Sequence, residues 1–370
     1  MRILHYVWST NFGGIERLTL DLAQAQKACS GHHVGVMVGQ DQGEFSDQFQ
    51  SDFDAFHSLD LKSGFDRDKS KQANARDYAS TFDVIHMHTF NPLVARVARG
   101  IDCAVIYTEH GNFGFGRKRT FADRVKGFLR NGFLKKHVDH ITFNSAFTRA
   151  EAERRYSIAA VPRDVVYNGI DLNTPGNPDD IDPSIKQRIE GKFVVGTTTR
   201  FAGFKRIDRL IEGFAKFQSD SSVVLLLVGD GPLRNQLETQ VREAGIESNV
   251  VFTGFQGGVA NYQVAMDICV FPSRHEPFGL VAVETLRMGK PTIVFSDGGG
   301  IVEIVDPVTP EDVVNTTDSL ADRMRYYRNA PDQSSMAERR KNRALQFNIE
   351  SMATAMDSIY ESAMKRHSDA

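Results

Sequence analysis

Two carboxylates, Glu276 and Glu284, stand eight residues apart in the run RHEPFGLVAVETLRMGKP at 274–291. Pro277 marks the end of a loop, and the apolar run after it reads as the start of a buried helix. Phe278, Gly279 and Leu280 are expected to form its first turn, whose backbone N–H groups lack helical partners and favour an anion. Carboxylates accept hydrogen bonds from hydroxyls. A polyhydroxylated ligand with phosphate in its middle suits all three features. One carboxylate would hold hydroxyls at one end, the N–H groups the phosphate, and the other carboxylate the far hydroxyls. Upstream, Arg200 and Lys205 lie five apart in TRFAGFKRID. A planar fork beside a point charge suits a diphosphate. The combination describes a sugar nucleotide. The plainer alternative is a helix-start acid and an unrelated surface glutamate.

Other candidates also follow short apolar runs. Gly13 and Gly14 come after the first run and open a helical pattern, where bare backbone can approach an anion. The spacing is not GxGxxG, so no dinucleotide fingerprint is supported, and a plain tight turn is the alternative. His86 and His88, two apart, are read as facing opposite sides, with no third ligand at hand and hence no metal. His110 precedes Gly111, and its neutral imidazole suits a sugar hydroxyl. Glu109 beside it is either a base or a structural hydrogen-bond acceptor, the second being preferred. The loop GNFGFGRK at 111–118 is assigned to an acceptor side, with His88, Asn112, Phe113 and Arg117 as its residues; the loop's aromatics and glycines would stack on a sugar or form a mobile lid. Arg206 and Arg209 are read as surface helix residues.

Alternating elements must position these groups. Strands are expected at 2–7, 33–38, 84–88, 104–108 and 140–144, then at 193–198, 223–228, 250–253, 268–271 and 291–295. Helices are expected at 14–28, 92–99, 206–217, 231–243, 259–265 and 279–288. Such alternation predicts an α/β protein of parallel sheets covered on both faces. The Pro-, Asn- and Asp-rich stretch 172–190 interrupts it and reads as a link between two doubly wound domains, their strand ends facing a cleft. The boundaries expected are 1–172, a linker at 173–190, 191–346, and a tail at 347–370. The tail carries one apolar stripe (Phe347, Met352, Met356, Ile359, Tyr360, Met364) that must pack on one of the domains.

Composition narrows the class. The 370 residues are 41% hydrophobic and 25% charged, with a net charge of -3, which predicts no general affinity for nucleic acid. Three scattered cysteines argue against a disulfide framework and for a reducing compartment. The opening MRILHYVWS reads as a strand, so no signal peptide is expected. Charge is uneven: residues 117–137 hold eight Lys or Arg against the single acid Asp123, interleaved with aromatics. Helical spacing puts Phe121, Val125, Phe128 and Leu129 on one face. The helix either packs on the core with a solvated basic face, or lies on an anionic membrane surface or near acidic substrate groups, and one helix can do both.

The run PSRHEPFGLVAVETLRMGKPTIVFSDGGGIVEIV resembles the E-x7-E signature of retaining GT-B glycosyltransferases, family 4 (glycosyl transferases group 1). GGIERL, HMHT, TEHGN, FNSAFTR, VYNGID, TTRFAGFKRIDRLI, LLLVGDGP and VVFTGF match in order, over nearly the whole chain. The resemblance implies two Rossmann-like domains, an acceptor-side one and a nucleotide-sugar-binding one, with the C-terminal helix crossing back onto the first. It implies that Glu276 holds donor-sugar hydroxyls near the reacting carbon and Glu284 the ribose hydroxyls. Phe278, Gly279 and Leu280 would reach the sugar and diphosphate through their backbone, and Arg200 and Lys205 would stabilise the leaving diphosphate. Gly13 and Gly14 would approach the phosphates, and His110 the sugar near its 6-position. The implied activity is metal-independent, retaining transfer of a hexose from a UDP- or GDP-sugar to a glycan or lipid-linked acceptor, without cofactor. Its setting would be cytoplasmic, peripheral on the inner membrane face, in surface polysaccharide or lipopolysaccharide synthesis. A sugar-nucleotide epimerase of the same fold and a non-catalytic sugar-nucleotide-binding partner remain as alternatives.

Overall fold

The computed structural model describes residues 1–11, 13–111, 113–114, 120–173, 176–217, 220–330 and 333–369. Asn112 and Arg117 of the expected acceptor loop lie outside them. The chain divides into two compact units, Met1–Ile170 with Asn348–Ala370, and Asp171–Phe347.

The first unit is built on β1 (Arg2–Ser9), β2 (His33–Gln40), β3 (Ala55–Ser58), β4 (Val84–Met87), β5 (Ala104–Glu109), β6 (His140–Phe143) and β7 (Arg163–Val165). All pairings are parallel, in the order β3-β2-β1-β4-β5-β6-β7. The second unit uses β8 (Phe193–Thr198), β9 (Val223–Val228), β10 (Val250–Gly254), β11 (Ile268–Phe271), β12 (Thr292–Phe295) and β13 (Val313–Val314). They are again parallel, ordered β10-β9-β8-β11-β12-β13. Central strands such as VVLLLV of β9 are buried throughout, as helices on both faces require. In each sheet the order reverses beside the first strand. Ligands of open parallel sheets bind at the carboxyl ends next to that reversal. The positions so selected follow β1 and β4 in one unit, and β8 and β11 in the other.

Helix Ile207–Phe217 shows how pattern becomes packing. Ile207, Leu210, Ile211, Phe214 and Phe217 repeat at helical spacing, and all are buried against β8, β9 and helix Thr317–Asn329. The C-terminal helix Ile349–Ser368 belongs to the first unit. Its Met352, Met356, Ile359 and Tyr360 pack with Leu18 and Leu22 of helix Gly14–Ser30 and with Ile106 of β5. Asn348 caps it, accepting the Ser351 N–H at 2.6 Å.

Several expectations are revised. Stretch 172–190 carries helix Pro183–Ile189, with Ile181, Ile185 and Ile189 buried, so it is packed structure of the second unit. Strands β3, β7 and β13 were not anticipated; they are short and sit toward sheet edges, where no continuous apolar run is needed. Phe121 and Phe128 do not pack: they are 82% and 79% exposed on helix Phe121–His137, which buries Phe133 and Leu134 instead.

Candidate functional site

The second unit gathers the two-glutamate motif at its sheet reversal. Lys205 ends a single 3-10 turn after β8, and Glu276 lies in the loop after β11. Lys205 Nζ donates to Glu276 Oε2 at 2.6 Å, with the two side chains 15% and 12% exposed. Arg200, just past β8, is exposed. Backbone bonds hold the Glu276 loop on three sides. Arg274 N–H donates to the Phe204 carbonyl at 2.7 Å, His275 N–H to Asp297 at 2.9 Å, and Glu276 N–H to Gly298 at 2.7 Å; Gly300 N–H returns to the Glu276 carbonyl at 2.8 Å. The loop is thus stitched into an isolated parallel bridge, Glu276 with Gly299.

The helix begins one residue later than the expected start at 279, so Phe278 and Gly279 of the expected first turn lie outside it. It spans Leu280–Arg287, with Gly279 as N-cap in the left-handed region at φ 102°. A Cβ at Gly279 would lie 2.5 Å from Ile301 Cγ1, so both conformation and space call for glycine. Phe278 precedes the helix; its ring is buried, edge-on to Phe347 at 5.7 Å. No side chain caps this helix start among the described residues, which leaves its N–H groups available to an anion. Glu284, half-buried one turn in, accepts from Gln263 Nε2 at 2.8 Å, and the same amide donates to Thr198 Oγ1 at 3.0 Å.

Gln263 was missed because nothing around it in YQVAMD signals a ligand; it is fully buried and aims Glu284. Arg209 is no mere surface residue. Its fork grips Asp297 at 2.7 and 2.8 Å, and this holds the Asp297 carboxyl below its usual range. Asp297 in turn receives the His275 N–H, so the Arg209 fork braces the Glu276 loop. The acid before three glycines in SDGGG was the available signal.

In the first unit, β1, β4 and β5 bring four imidazoles together, His5, His86, His88 and His110. His86 and His88 do not face opposite sides: alternate residues of a strand share a face, and their ring centroids lie 4.1 Å apart. His5 on β1 pairs in register with His86 and brings the third imidazole that the spacing on β4 alone could not show. The ligand atoms of His5, His86 and His88 all lie within 4.8 Å of one another, close enough to hold a metal ion. Each is also hydrogen-bonded to protein. His5 Nδ1 meets His88 Nε2 at 3.0 Å, His88 Nδ1 meets His110 Nε2 at 3.1 Å, and His86 Nδ1 meets Tyr360 Oη at 2.7 Å. Burial lowers the pKa of His5 and of His110 to about 4, and those of His86 and His88 well below the ordinary histidine range.

His88, His110 and Phe113 line one cavity of about 310 Å³, with Glu109, Lys126 and Arg130 on its wall. Glu109 has a structural environment: it accepts from Gly111 N–H at 3.0 Å and Tyr156 Oη at 3.1 Å, with Arg130 at 3.7 Å. Gly13 caps helix Gly14–Ser30 without a side-chain bond. The Glu16 carboxylate already lies over this helix start, 2.3 Å from where a Gly13 Cβ would be. Burial raises the Glu16 pKa. A phosphate approaching Gly13 and Gly14 would have to displace that carboxylate.

Residues 12–174 match the family model described as Glycosyltransferase Family 4, and residues 179–346 the model described as Glycosyl transferases group 1. An uncharacterized glycosyltransferase of Methanocaldococcus jannaschii, MJ1607, is 33% identical over 165 residues, 40% of each chain. The O-antigen biosynthesis glycosyltransferase WclY of Escherichia coli is 23% identical over 256 residues, 66% of this chain and 69% of that one. The chain spans only a third to a half of the length of MJ1607 and of several other curated relatives. Among solved structures, Anabaena Alr3699/HepE superposes with a TM-score of 0.80 at 20% identity, covering 98% of this chain and 100% of that one. It has been solved with UDP, with UDP and glucose, and with UDP-glucose.

Proposed function

We propose that this chain, which belongs to the family 4 glycosyltransferases of the GT-B fold, moves a hexose from a nucleotide diphosphate sugar to a glycan or glycolipid acceptor with retention of configuration. The observation that carries the reading is the cluster at the second sheet's reversal: Lys205 bonded to Glu276, an uncapped helix start, and Glu284 held by Gln263. UDP-hexose is the first donor to test, since Alr3699/HepE was solved with UDP-glucose.

The chemistry follows from the charges. As the bond from the sugar C1 to the diphosphate oxygen breaks, negative charge grows on the diphosphate. Arg200, Lys205 and the N–H groups at Leu280 are the donors that stabilise it, so the reading requires no metal. The acceptor hydroxyl bonds to C1 on the same face while its proton passes to the departing phosphate oxygen. Glu276, released from Lys205 as the diphosphate takes that cation, orients sugar hydroxyls. Glu284 holds the ribose. From the first unit, His110 is assigned to a hydroxyl of the donor sugar, and Gly13 and Gly14 to the phosphates.

An acceptor in bacterial surface polysaccharide or lipopolysaccharide fits the role of WclY in O-antigen biosynthesis. A peripheral place on the inner membrane face rests on helix Phe121–His137, which exposes Phe121, Phe128 and Leu129 beside Arg124, Lys135 and Lys136. No helix among the described residues is long and apolar enough to cross a membrane.

The experiment is a panel of UDP- and GDP-sugars incubated with the full chain in EDTA, with lipid-linked and free glycan acceptors. A glycoside product with the donor's anomeric configuration supports the reading. An inverted product refutes retention, a 2-epimer identifies an epimerase, and absence of binding to any nucleotide sugar removes the donor site.

A further inference from the structure

Four clustered histidines of the first unit, His5, His86, His88 and His110, form directed hydrogen-bond chains, and one amide sets the direction of both. Gln26, on helix Gly14–Ser30, is fully buried. Its Oε1 lies 2.9 Å from His5 Nε2, and its Nε2 donates to Tyr360 Oη at 3.2 Å. An amide oxygen only accepts, so His5 carries its proton on Nε2 and leaves Nδ1 bare. His88 Nε2 is 3.0 Å from that bare nitrogen and must be the donor, which leaves His88 Nδ1 bare. His110 Nε2 is 3.1 Å from it and must again donate. The other branch closes without conflict. Tyr360 accepts from the amide and donates to His86 Nδ1 at 2.7 Å, and His86 Nε2 donates to Thr108 Oγ1 at 2.6 Å. Every ring nitrogen of His5, His86 and His88 is thereby used, so the chain describes this cluster better than a metal site does.

We infer that Gln26 is a positioning residue that locks His110 in the Nε2–H tautomer and presents its Nδ1 lone pair as a hydrogen-bond acceptor. The inference deepens the reading of His110 as a contact of the donor sugar, and rests on it for its functional consequence. An acceptor nitrogen takes a hydroxyl and rejects a group that can only accept. The site would therefore select a sugar with a free hydroxyl at that point over one bearing a carboxylate. Turning the Gln26 amide over would reverse both branches and make His110 Nδ1 a donor. The neutrality that the chain requires agrees with the burial of its members, which depresses their protonation.

The test is ¹⁵N-histidine NMR of the full chain at pH 9, the His110 signals being identified by their loss in His110→Ala. Wild type is expected to show His110 protonated on Nε2 and His86 also on Nε2. A proton on His110 Nδ1 overturns the inference regardless of any kinetic result. Gln26→Glu replaces the amide by an acceptor on both sides. It should keep the His110 tautomer while moving the His86 proton to Nδ1; a His86 proton that stays on Nε2 overturns Gln26 as the shared pin. Gln26→Leu should mix the His110 tautomers and lower kcat/KM for the donor about ten-fold, with Gln26→Glu restoring most of it. Loss of the tautomer in Gln26→Leu with unchanged kcat/KM overturns the functional part. The reading of His110 itself fails separately, if His110→Ala turns over the donor like wild type.

Discussion

Gly279→Ala isolates the backbone geometry on which the two-glutamate motif depends. Gly279 sits at φ 102°, where a non-glycine residue costs about 1–2 kcal/mol. A new Cβ would also meet Ile301 Cγ1 at 2.5 Å and its Cβ and Cδ1 at 2.8 Å. Ile301 is fully buried and has nowhere to retreat, so overpacking adds about 1–3 kcal/mol. The sum is about 3 kcal/mol, which lowers the melting temperature of a unit this size by roughly 6–12 °C. Gly245→Ala is the matched control. Gly245 has φ 67°, and nothing lies within 4 Å of its Cβ position, so it carries the conformational cost of about 1–2 kcal/mol without the clash. Denaturant unfolding of the full-length variants measures both. Because the Glu276 and Gly300 backbones are bonded to each other beside Ile301, Gly279→Ala should also weaken nucleotide-sugar binding at least ten-fold by calorimetry, and Gly245→Ala should not. Equal stability of the two variants together with wild-type donor affinity in Gly279→Ala would show that the motif does not depend on this glycine.

Gln263→Leu removes the donor that aims Glu284; a lost bond to a charged group costs about 1.5–3 kcal/mol, so UDP should bind roughly ten- to a hundred-fold more weakly by titration calorimetry. Acid should destabilise the first unit early. His5 and His110 have folded pKa values near 4, below the ordinary 6.5, so the unfolded chain binds more protons between these values. The stability due to their neutral burial is full above pH 6.5 and falls as pH drops toward 4, by about 3 kcal/mol for each imidazole. Urea midpoints at pH 7.5 and 5.0 measure it, and an unchanged midpoint would contradict the assignment. Phe121→Asp with Phe128→Asp should abolish flotation with anionic vesicles and leave the melting temperature unchanged, since both rings are exposed.

What could be read from the chain alone was whatever rests on local pattern. Buried parallel strands such as β8 and β9 announce themselves as β-branched and leucine runs, and Glu276, Glu284, Arg200 and Lys205 stand at strand ends or on the helix that follows. Groups joined across the sheet were not legible. His5 meets His88 only because β1 pairs with β4, and Tyr360 reaches His86 across 274 residues. Gln263 and the Arg209–Asp297 fork brace the motif from other elements; the neighbours of Gln263 in sequence say nothing of it, and only the three glycines after Asp297 mark the fork. Helix Phe121–His137 shows the converse limit: its spacing gave an apolar face, but only the fold tells which apolar residues are covered.

The central claim is that Glu276 holds the sugar of a nucleotide donor while the nucleotide is held elsewhere in the same site. Calorimetric titration of UDP and of UDP-glucose into wild type and Glu276→Ala tests it most directly. Wild type is expected to bind UDP-glucose, and the variant to bind UDP much as wild type does but to lose the affinity contributed by the sugar. Undiminished UDP-glucose binding in Glu276→Ala, or no binding of either ligand to wild type, would contradict it.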